Sequence, residues 1–394
     1  MNIKKMIKTF LPEFLKDTII KYINKPIYNY FKTDYKKKAL LSYIVHPFRK
    51  DYMSHTNYYE ATTWANILNE LGYKVDIIHF NNCPTSLKLE EYDLICGFGD
   101  VFQKYFECTK CGRATTIYYA TGMHVCHQNL ATLKRVKDVY HKKGVWLGKS
   151  ARFVEKTWTH QTTLVDGIIA LGNAVCANSY KKYYDGIVLE TPAPFYKVQN
   201  VEKIIINRER SANKHFLWFG SSGLVHKGLD LLLDYFSINK DLVLHICGPV
   251  ENEPLFVNVY RKELYETSNI ITHGFVDIKS KKFADILTKC SFVIFPSCSE
   301  GGAPSVLTAI GNGALIPIIT KETTISTGFE IWIESLDFNG LDQAIKSATE
   351  LSNEDIVRLQ ENNYKYVNSV HSQKNYYIQL KKNIISIIGE YDEL

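Results

Sequence analysis

The sequence predicts an α/β protein of two tandem doubly wound, Rossmann-like domains facing each other across a cleft, preceded by a basic helical segment. Three observations carry this. Strand-length apolar runs alternate with helix-length stretches along most of the chain, the signature of parallel sheets with helices on both faces. The stretch 190–213, with Pro192, Pro194 and a polar-basic run, interrupts the alternation before it resumes. Glycine-rich loops then follow two strands of the second series, where doubly wound sheets bind ligands.

A chain of 394 residues has room for about two ordinary domains. Its 45% hydrophobic and 22% charged content suits a soluble globular protein. No apolar run nears the roughly 18 residues that span a bilayer. The N-terminal apolar residues are broken by Lys8, Pro12, Glu13, Lys16 and Asp17, unlike a secretory signal. A cytoplasmic location is expected. Nine scattered cysteines fit reduced thiols better than a disulfide framework.

Residues 1–39 form the first segment. Residues 1–40 hold ten lysines against Glu13, Asp17 and Asp34, more than the whole net charge of +6. The body is therefore near neutral, which argues against nucleic acid as a partner, since that calls for a basic binding face. Ile3, Met6, Ile7, Phe10, Phe14 and Ile19 recur at helical spacing. Such a basic amphipathic helix suits an anionic membrane surface. Packing on the protein's own body is the alternative.

Residues 40–195 read as the first domain. Its strands are 40–45, 74–79, 93–96, 116–120 and 167–171, with helices over 59–71, closed by Gly72, and 130–140. Residues 196–394 read as the second. Its strands are 216–219, 242–246, 270–271, 292–295 and 315–319, and three helices follow over 341–351, 353–367 and 373–388.

The run Ser299-Glu300-Gly301-Gly302-Ala303-Pro304-Ser305 lies between strand 292–295 and a small-residue helix. Pro304 suits a first helical position, having no N–H to leave unpaired. Ala303 has no side-chain oxygen to cap the helix, so orphan N–H groups stay open to phosphate. Glu300 is an isolated acid beside them, suited to accepting from sugar hydroxyls. Together these point to a sugar nucleotide; an ordinary βα turn relieved by glycine is the bland alternative. The other loop, Gly220-Ser221-Ser222-Gly223 to Lys227-Gly228, offers amides, two hydroxyls and a lysine that can neutralise a departing diphosphate. His124 follows strand 116–120 at the cleft edge, where it can hydrogen-bond hydroxyls or shuttle a proton; a strand-end histidine bonded to a neighbouring carbonyl is the alternative. Cys108, Cys111, His124 and His127 approach zinc spacing, but the histidines are one residue too close and a core strand intervenes. No metal site is expected.

Gly220, Lys227-Gly228 and Glu300-Gly301-Gly302-Ala303-Pro304 together resemble the donor site of glycosyltransferase family 4 and its relatives, which adopt the GT-B fold. Gly274-Phe275-Val276 is similar to the segment that reaches the nucleotide base. Gly311 to Pro317 is similar to the small-residue turn before the next strand. His55-Thr56-Asn57, Glu60 and Gly72 to Asp76 are similar to the first-domain loop and second strand. Two positions depart from the pattern. Thr308 stands where a second glutamate binds the ribose, and Ser221 stands where an arginine is frequent.

The resemblance implies a retaining glycosyltransferase moving sugar from a nucleotide sugar, with UDP or GDP unresolved, to a glycan or lipid-linked acceptor of the cell surface. Catalytic roles fall to His124, Glu300 and Lys227. Binding falls to Gly220, Ser221, Ser222, Gly274, Phe275, Val276, Gly301, Gly302, Ala303, Pro304, Ser305 and Thr308. No metal or cofactor is implied. A nucleotide-sugar epimerase and a non-catalytic, membrane-associated GT-B protein are the alternatives.

Overall fold

The computed structural model describes residues 23–49, 55–156 and 162–389. They form two six-stranded sheets, parallel throughout. The first is β1 (Lys38–Tyr43), β2 (Lys74–His79), β3 (Leu94–Gly97), β4 (Thr115–Ala120), β5 (Gly167–Leu171) and β6 (Ile187–Thr191), in the order β2-β1-β3-β4-β5-β6. The second is β7 (His215–Phe219), β8 (Val243–Cys247), β9 (Ile270–Gly274), β10 (Phe292–Phe295), β11 (Ile316–Ile319) and β12 (Ile331–Trp332), in the order β12-β11-β10-β7-β8-β9. Central strands such as β10 and β11 are buried along their whole length, as strands covered on both faces must be.

The main helices are α1 (Thr56–Glu70), α2 (Asp100–Phe106), α3 (Val125–Lys143), α4 (Ala174–Lys181), α5 (Leu229–Ile238), α6 (Lys281–Lys289), α7 (Pro304–Gly313), α8 (Phe338–Thr349), α9 (Asn353–Val370) and α10 (Gln373–Gly389). Their starts carry recognisable caps: the side chains of Asn173, Ser280, Asp337 and Ser352 accept first-turn amides. Gly144 ends α3 in the left-handed conformation, at φ 69°.

Two features tie the halves together. Arg135 on α3 and Asp230 on α5 form a buried ion pair at 2.6 Å. The late helix α10 returns to the first sheet. Tyr376 meets Tyr119 of β4 hydroxyl to hydroxyl at 3.0 Å, and Tyr119 donates to buried Glu60 at 2.8 Å. Asn383 donates to Thr191 Oγ1 at 2.8 Å.

Three histidines on adjacent strands form a row across the second sheet. His215 Nδ1 lies 3.0 Å from His245 Nε2, and His245 Nδ1 lies 3.0 Å from His273 Nε2. The His245 and His273 rings are within 4° of parallel with centroids 5.3 Å apart. That separation is the nitrogen gap plus two ring radii, so these imidazoles lie end to end rather than face to face. Burial, then the neighbouring imidazoles, pushes His245 down to about 3.

Residues 23–39 do not stand apart from the body. Ile27 exchanges two backbone hydrogen bonds with Ile77 of β2, at 2.9 and 2.8 Å, and Tyr30 N–H donates to Val75 at 3.0 Å. Residues 1–22 of the basic amphipathic segment expected over 1–39 lie outside the described residues. No helix among the described residues is long and apolar enough to cross a membrane.

Candidate active site

In the second sheet β7 and β10 are neighbours, and the chain crosses from β7 to β8 on one side but from β10 to β11 on the other. Such a switch point opens a crevice at the C-terminal ends of the two strands. The loop after β7 runs from Gly220 to Gly228 and starts α5. The loop after β10 runs from Pro296 to Ala303 and starts α7. These are the two loops singled out in the sequence.

The structure cross-links them. Lys227 Nζ donates to Glu300 Oε1 at 2.6 Å, and Ser297 Oγ donates to the same oxygen at 2.8 Å. Cys298 N–H donates to the His226 carbonyl at 3.0 Å. His226 Nε2 lies 2.5 Å from the Ser299 carbonyl. A carbonyl only accepts, so Nε2 carries the hydrogen and Nδ1 faces the Cys298 thiol, 3.5 Å away, as an acceptor. Burial holds His226 neutral, at about 4. Burial alone would raise the Glu300 carboxyl, but the cations Lys227 and Arg152 outweigh it and bring it down to about 2. Glu300 is thus ionised and paired, where the sequence suggested an isolated acid.

Gly301 and Gly302 serve close approach. A Cβ on Gly301 would lie 2.3 Å from the Thr121 carbonyl oxygen, and one on Gly302 would lie 2.3 Å from the Ala193 Cβ. Both clashes are with the first half, so these glycines let the loop after β10 touch it. The start of α7 has no side-chain cap, and Ala303 sits at φ 32°. Gly302 N–H donates to Thr324 Oγ1 at 2.6 Å. Pro304 and Ser305 are half-buried at the helix start. Thr308, one turn on, is buried and donates its hydroxyl to the Pro304 carbonyl at 2.7 Å.

In the β7 loop, Gly220 is half-buried while Ser221 and Ser222 are exposed. The amides of Gly223 and Leu224 already donate to the buried carboxylate of Glu253, at 2.5 and 3.3 Å. Two of the amides offered by this loop in the sequence are therefore engaged. Gly274 turns the chain after β9 at φ 69°, Phe275 stands 77% exposed and Val276 is buried. This is an open aromatic face beside a sheet edge, able to stack on a base.

His124 is buried and caps α3, its Nδ1 accepting from Cys126 N–H at 3.3 Å. Its ring stacks on Tyr183 with centroids 4.2 Å apart. Through Thr121 its loop abuts Gly301, so His124 and Glu300 belong to loops in direct contact. Among the described residues no group of three His, Cys, Asp or Glu is placed to hold a metal ion.

Arg152, Ser297, His226 and Glu253 were not foreseen. Arg152, His226 and Glu253 act through contacts between distant segments. Only Ser297, three residues before Glu300, carried a signal that spacing could have used.

No protein-family model matches the chain, and no curated protein matches it. Solved structures do. A glycosyltransferase from Rickettsia africae superposes with a TM-score of 0.56 at 14% identity, over 90% of this chain and 99% of that one. HepE of Anabaena in complex with UDP gives a TM-score of 0.56 at 11% identity, over 89% and 100%. The chain has the GT-B fold. The lipopolysaccharide outer core galactosyltransferase WaaB, in its apo form, aligns over 89% of this chain and 99% of its own, with a TM-score of 0.50 at 14% identity. In that GT-B frame the Lys227–Glu300 contact sits at the switch point of the second sheet, facing the first.

Proposed function

We propose that this protein is a retaining glycosyltransferase. It moves a sugar from a nucleoside-diphosphate sugar to an acceptor hydroxyl in the assembly of a cell-surface glycan. The observation that carries this reading is the Lys227–Glu300 pair, which bridges both loops of the switch-point crevice at 2.6 Å. In this reading the α7 start, from Gly301 to Ser305, and Lys227 receive the diphosphate, and Ser221 and Ser222 donate to it from the opposite loop. Glu300, kept ionised, accepts from donor sugar hydroxyls. Phe275 and its neighbours Gly274 and Val276 receive the base, and Thr308 faces the ribose. His124 positions sugar or acceptor at the contact with the first half. The diphosphate leaves as the acceptor hydroxyl attacks from the same face. Charge on the leaving group is met by Lys227 and backbone amides, so turnover is expected to survive EDTA.

Membrane docking belongs to the same proposal. Lys4, Lys5, Lys8, Lys16 and Lys21 fall in residues 1–22, and each lysine near an anionic surface contributes about 1 kcal/mol. The chain lacking residues 1–22 is expected to stay in the supernatant when sedimented with anionic vesicles, while the full chain pellets.

The first test is a thermal-shift screen with UDP, GDP and ADP. A ligand at about a hundred times its Kd adds about 2.7 kcal/mol of stability. No shift with any of them removes the donor reading. Product analysis with donor alone then separates transfer from epimerisation, since an epimerase needs no acceptor.

A further inference from the structure

A segment of the first half lies across the β7 loop of the second. Residues 148–154 are pinned to α3. Gln128 Nε2 donates to the Arg152 carbonyl at 2.9 Å. Asn129 exchanges two hydrogen bonds with Val154, at 2.9 and 3.0 Å, and Thr132 Oγ1 donates to the Ala151 carbonyl. From the other side His226 N–H donates to the Ser150 carbonyl at 3.0 Å. The strap is held from both halves, and its backbone conformation at Arg152 is left-handed, φ 51°. A non-glycine residue is rarely found there, and such strain concentrates at functional sites.

That backbone turn aims the Arg152 side chain over the loop. A Cβ on Gly223 would lie 2.3 Å from Arg152 Cγ and 2.4 Å from its Cδ. Gly223 is therefore the space through which the arginine stem passes. The guanidinium reaches the crevice, where NH1 lies 3.7 Å from Glu300 Oε2. The other Glu300 oxygen is the one held by Lys227 and Ser297. At 3.7 Å the contact is beyond hydrogen-bond range, and the side chain is 45% exposed. Lys227 is buried and has its carboxylate partner. Arg152 is a second cation at the crevice mouth, and it lies by the loop whose Ser221 is neutral.

We infer that Arg152 is a diphosphate ligand contributed by the first half of the chain, supplying across the cleft the cation that the β7 loop lacks at Ser221. The inference rests on the donor reading of the site and adds the residue that couples the two halves to the ligand. A planar guanidinium suits two phosphate oxygens at once. The ligand's affinity would then depend on the strap being seated, because the cation and the loop belong to different sheets.

Calorimetry on the full chain tests it with UDP, GDP, ADP and the corresponding nucleosides uridine, guanosine and adenosine as probes. The variant of choice is Arg152→Asn, because asparagine tolerates the left-handed backbone. The expected result is a loss of about tenfold or more in affinity for the diphosphate that wild type binds best, with the affinity for its nucleoside unchanged. Ser221→Arg, introduced into Arg152→Asn, should recover most of that loss by placing the cation on the exposed loop position. Equal diphosphate affinity in wild type and Arg152→Asn overturns the inference while leaving the donor reading intact. So does equal weakening of nucleoside and diphosphate, which would make Arg152 a clamp between the halves. Absence of diphosphate binding in wild type removes the donor reading itself. If Arg152→Asn does not fold, Arg152→Lys replaces it. That variant keeps the charge and removes the fork, and a diphosphate loss of at least about threefold is then expected, unchanged affinity again overturning the inference.

Discussion

Lys227 and Glu300 meet at 2.6 Å in a crevice that buries both, joining two loops that start from the central strands of one sheet. Each was proposed as a separate ligand group, yet each is also the other's counter-ion. Removing one leaves the other charged and out of water.

Glu300→Gln should therefore affect stability as well as turnover. Breaking a buried pair by deleting one partner costs about 3–5 kcal/mol. The double variant Lys227→Met with Glu300→Gln should cost less than the two single changes added together. Urea unfolding of the four proteins measures this, and simple additivity would show that the pair is not coupled.

The histidine row predicts an acid-sensitive fold. Burial lowers all three pKa values, His245 to about 3 and His273 to about 4. The positive charge of Lys289 adds to this at each ring and Lys282 at His273, while Glu209 opposes it at His215. Between these values and the unfolded value of about 6.5 the unfolded chain binds more protons. Stability is then full above about pH 6.5 and falls as pH drops toward 4. The slope is up to about 1.4 kcal/mol per pH unit for each proton taken up. His226 adds to it in the same direction. His245→Gln, which keeps a donor and an acceptor, should flatten the melting-temperature profile over this range. An unchanged profile would locate the acid sensitivity elsewhere.

Tyr119 and Tyr376 should not be equivalent. Tyr119 donates to buried Glu60 and also meets Tyr376, whereas the Tyr376 hydroxyl lies beyond it in the same network. Tyr119→Phe strips the buried carboxylate of a donor and should cost about 1–3 kcal/mol. Tyr376→Phe should cost less. Thermal unfolding of the two variants ranks them.

Thr308→Val tests whether the hydroxyl reaches the ribose. Its hydrogen is committed to the Pro304 carbonyl at 2.7 Å, so it can meet a ribose hydroxyl only as an acceptor. Affinity for the diphosphate wild type binds best should change by less than about tenfold. A larger loss would make Thr308 the main ribose contact rather than a single accepting hydroxyl, in spite of that internal bond.

Much of the architecture was legible because buried parallel strands announce themselves. Phe292–Phe295 and Ile316–Ile319 are continuous apolar runs, and all eight residues are buried. The edge strand Ile187–Thr191 was missed for the converse reason. Its first three residues are half-buried, and Glu190 is exposed, so no pattern sets it apart from the proline-containing stretch after it. Ile331–Trp332 is too short for any periodicity. Glu300 and Lys227 could be read from local glycine and proline chemistry. Arg152 could not: its importance comes from a strap pinned by α3 and from the space left by Gly223, and neither is a local property of its sequence. Glu253, held by the amides of Gly223 and Leu224, is hidden in the same way.

The return of α10 has a consequence for how the chain is made. Strand β4 leaves the ribosome long before the helix that covers it: Tyr119 and Tyr376 are 257 residues apart. Gly167 of β5 waits likewise for Ile387, whose Cδ1 would sit 2.7 Å from a Cβ at that glycine. At about 5–20 residues per second the interval is on the order of tens of seconds. During it the apolar face of the first sheet over β4, β5 and β6 lacks the helix that completes its cover, although Trp64 of α1 already packs on Tyr119. The nascent first half is therefore expected to expose apolar surface that chaperones bind, and its protease resistance should rise once α10 has emerged.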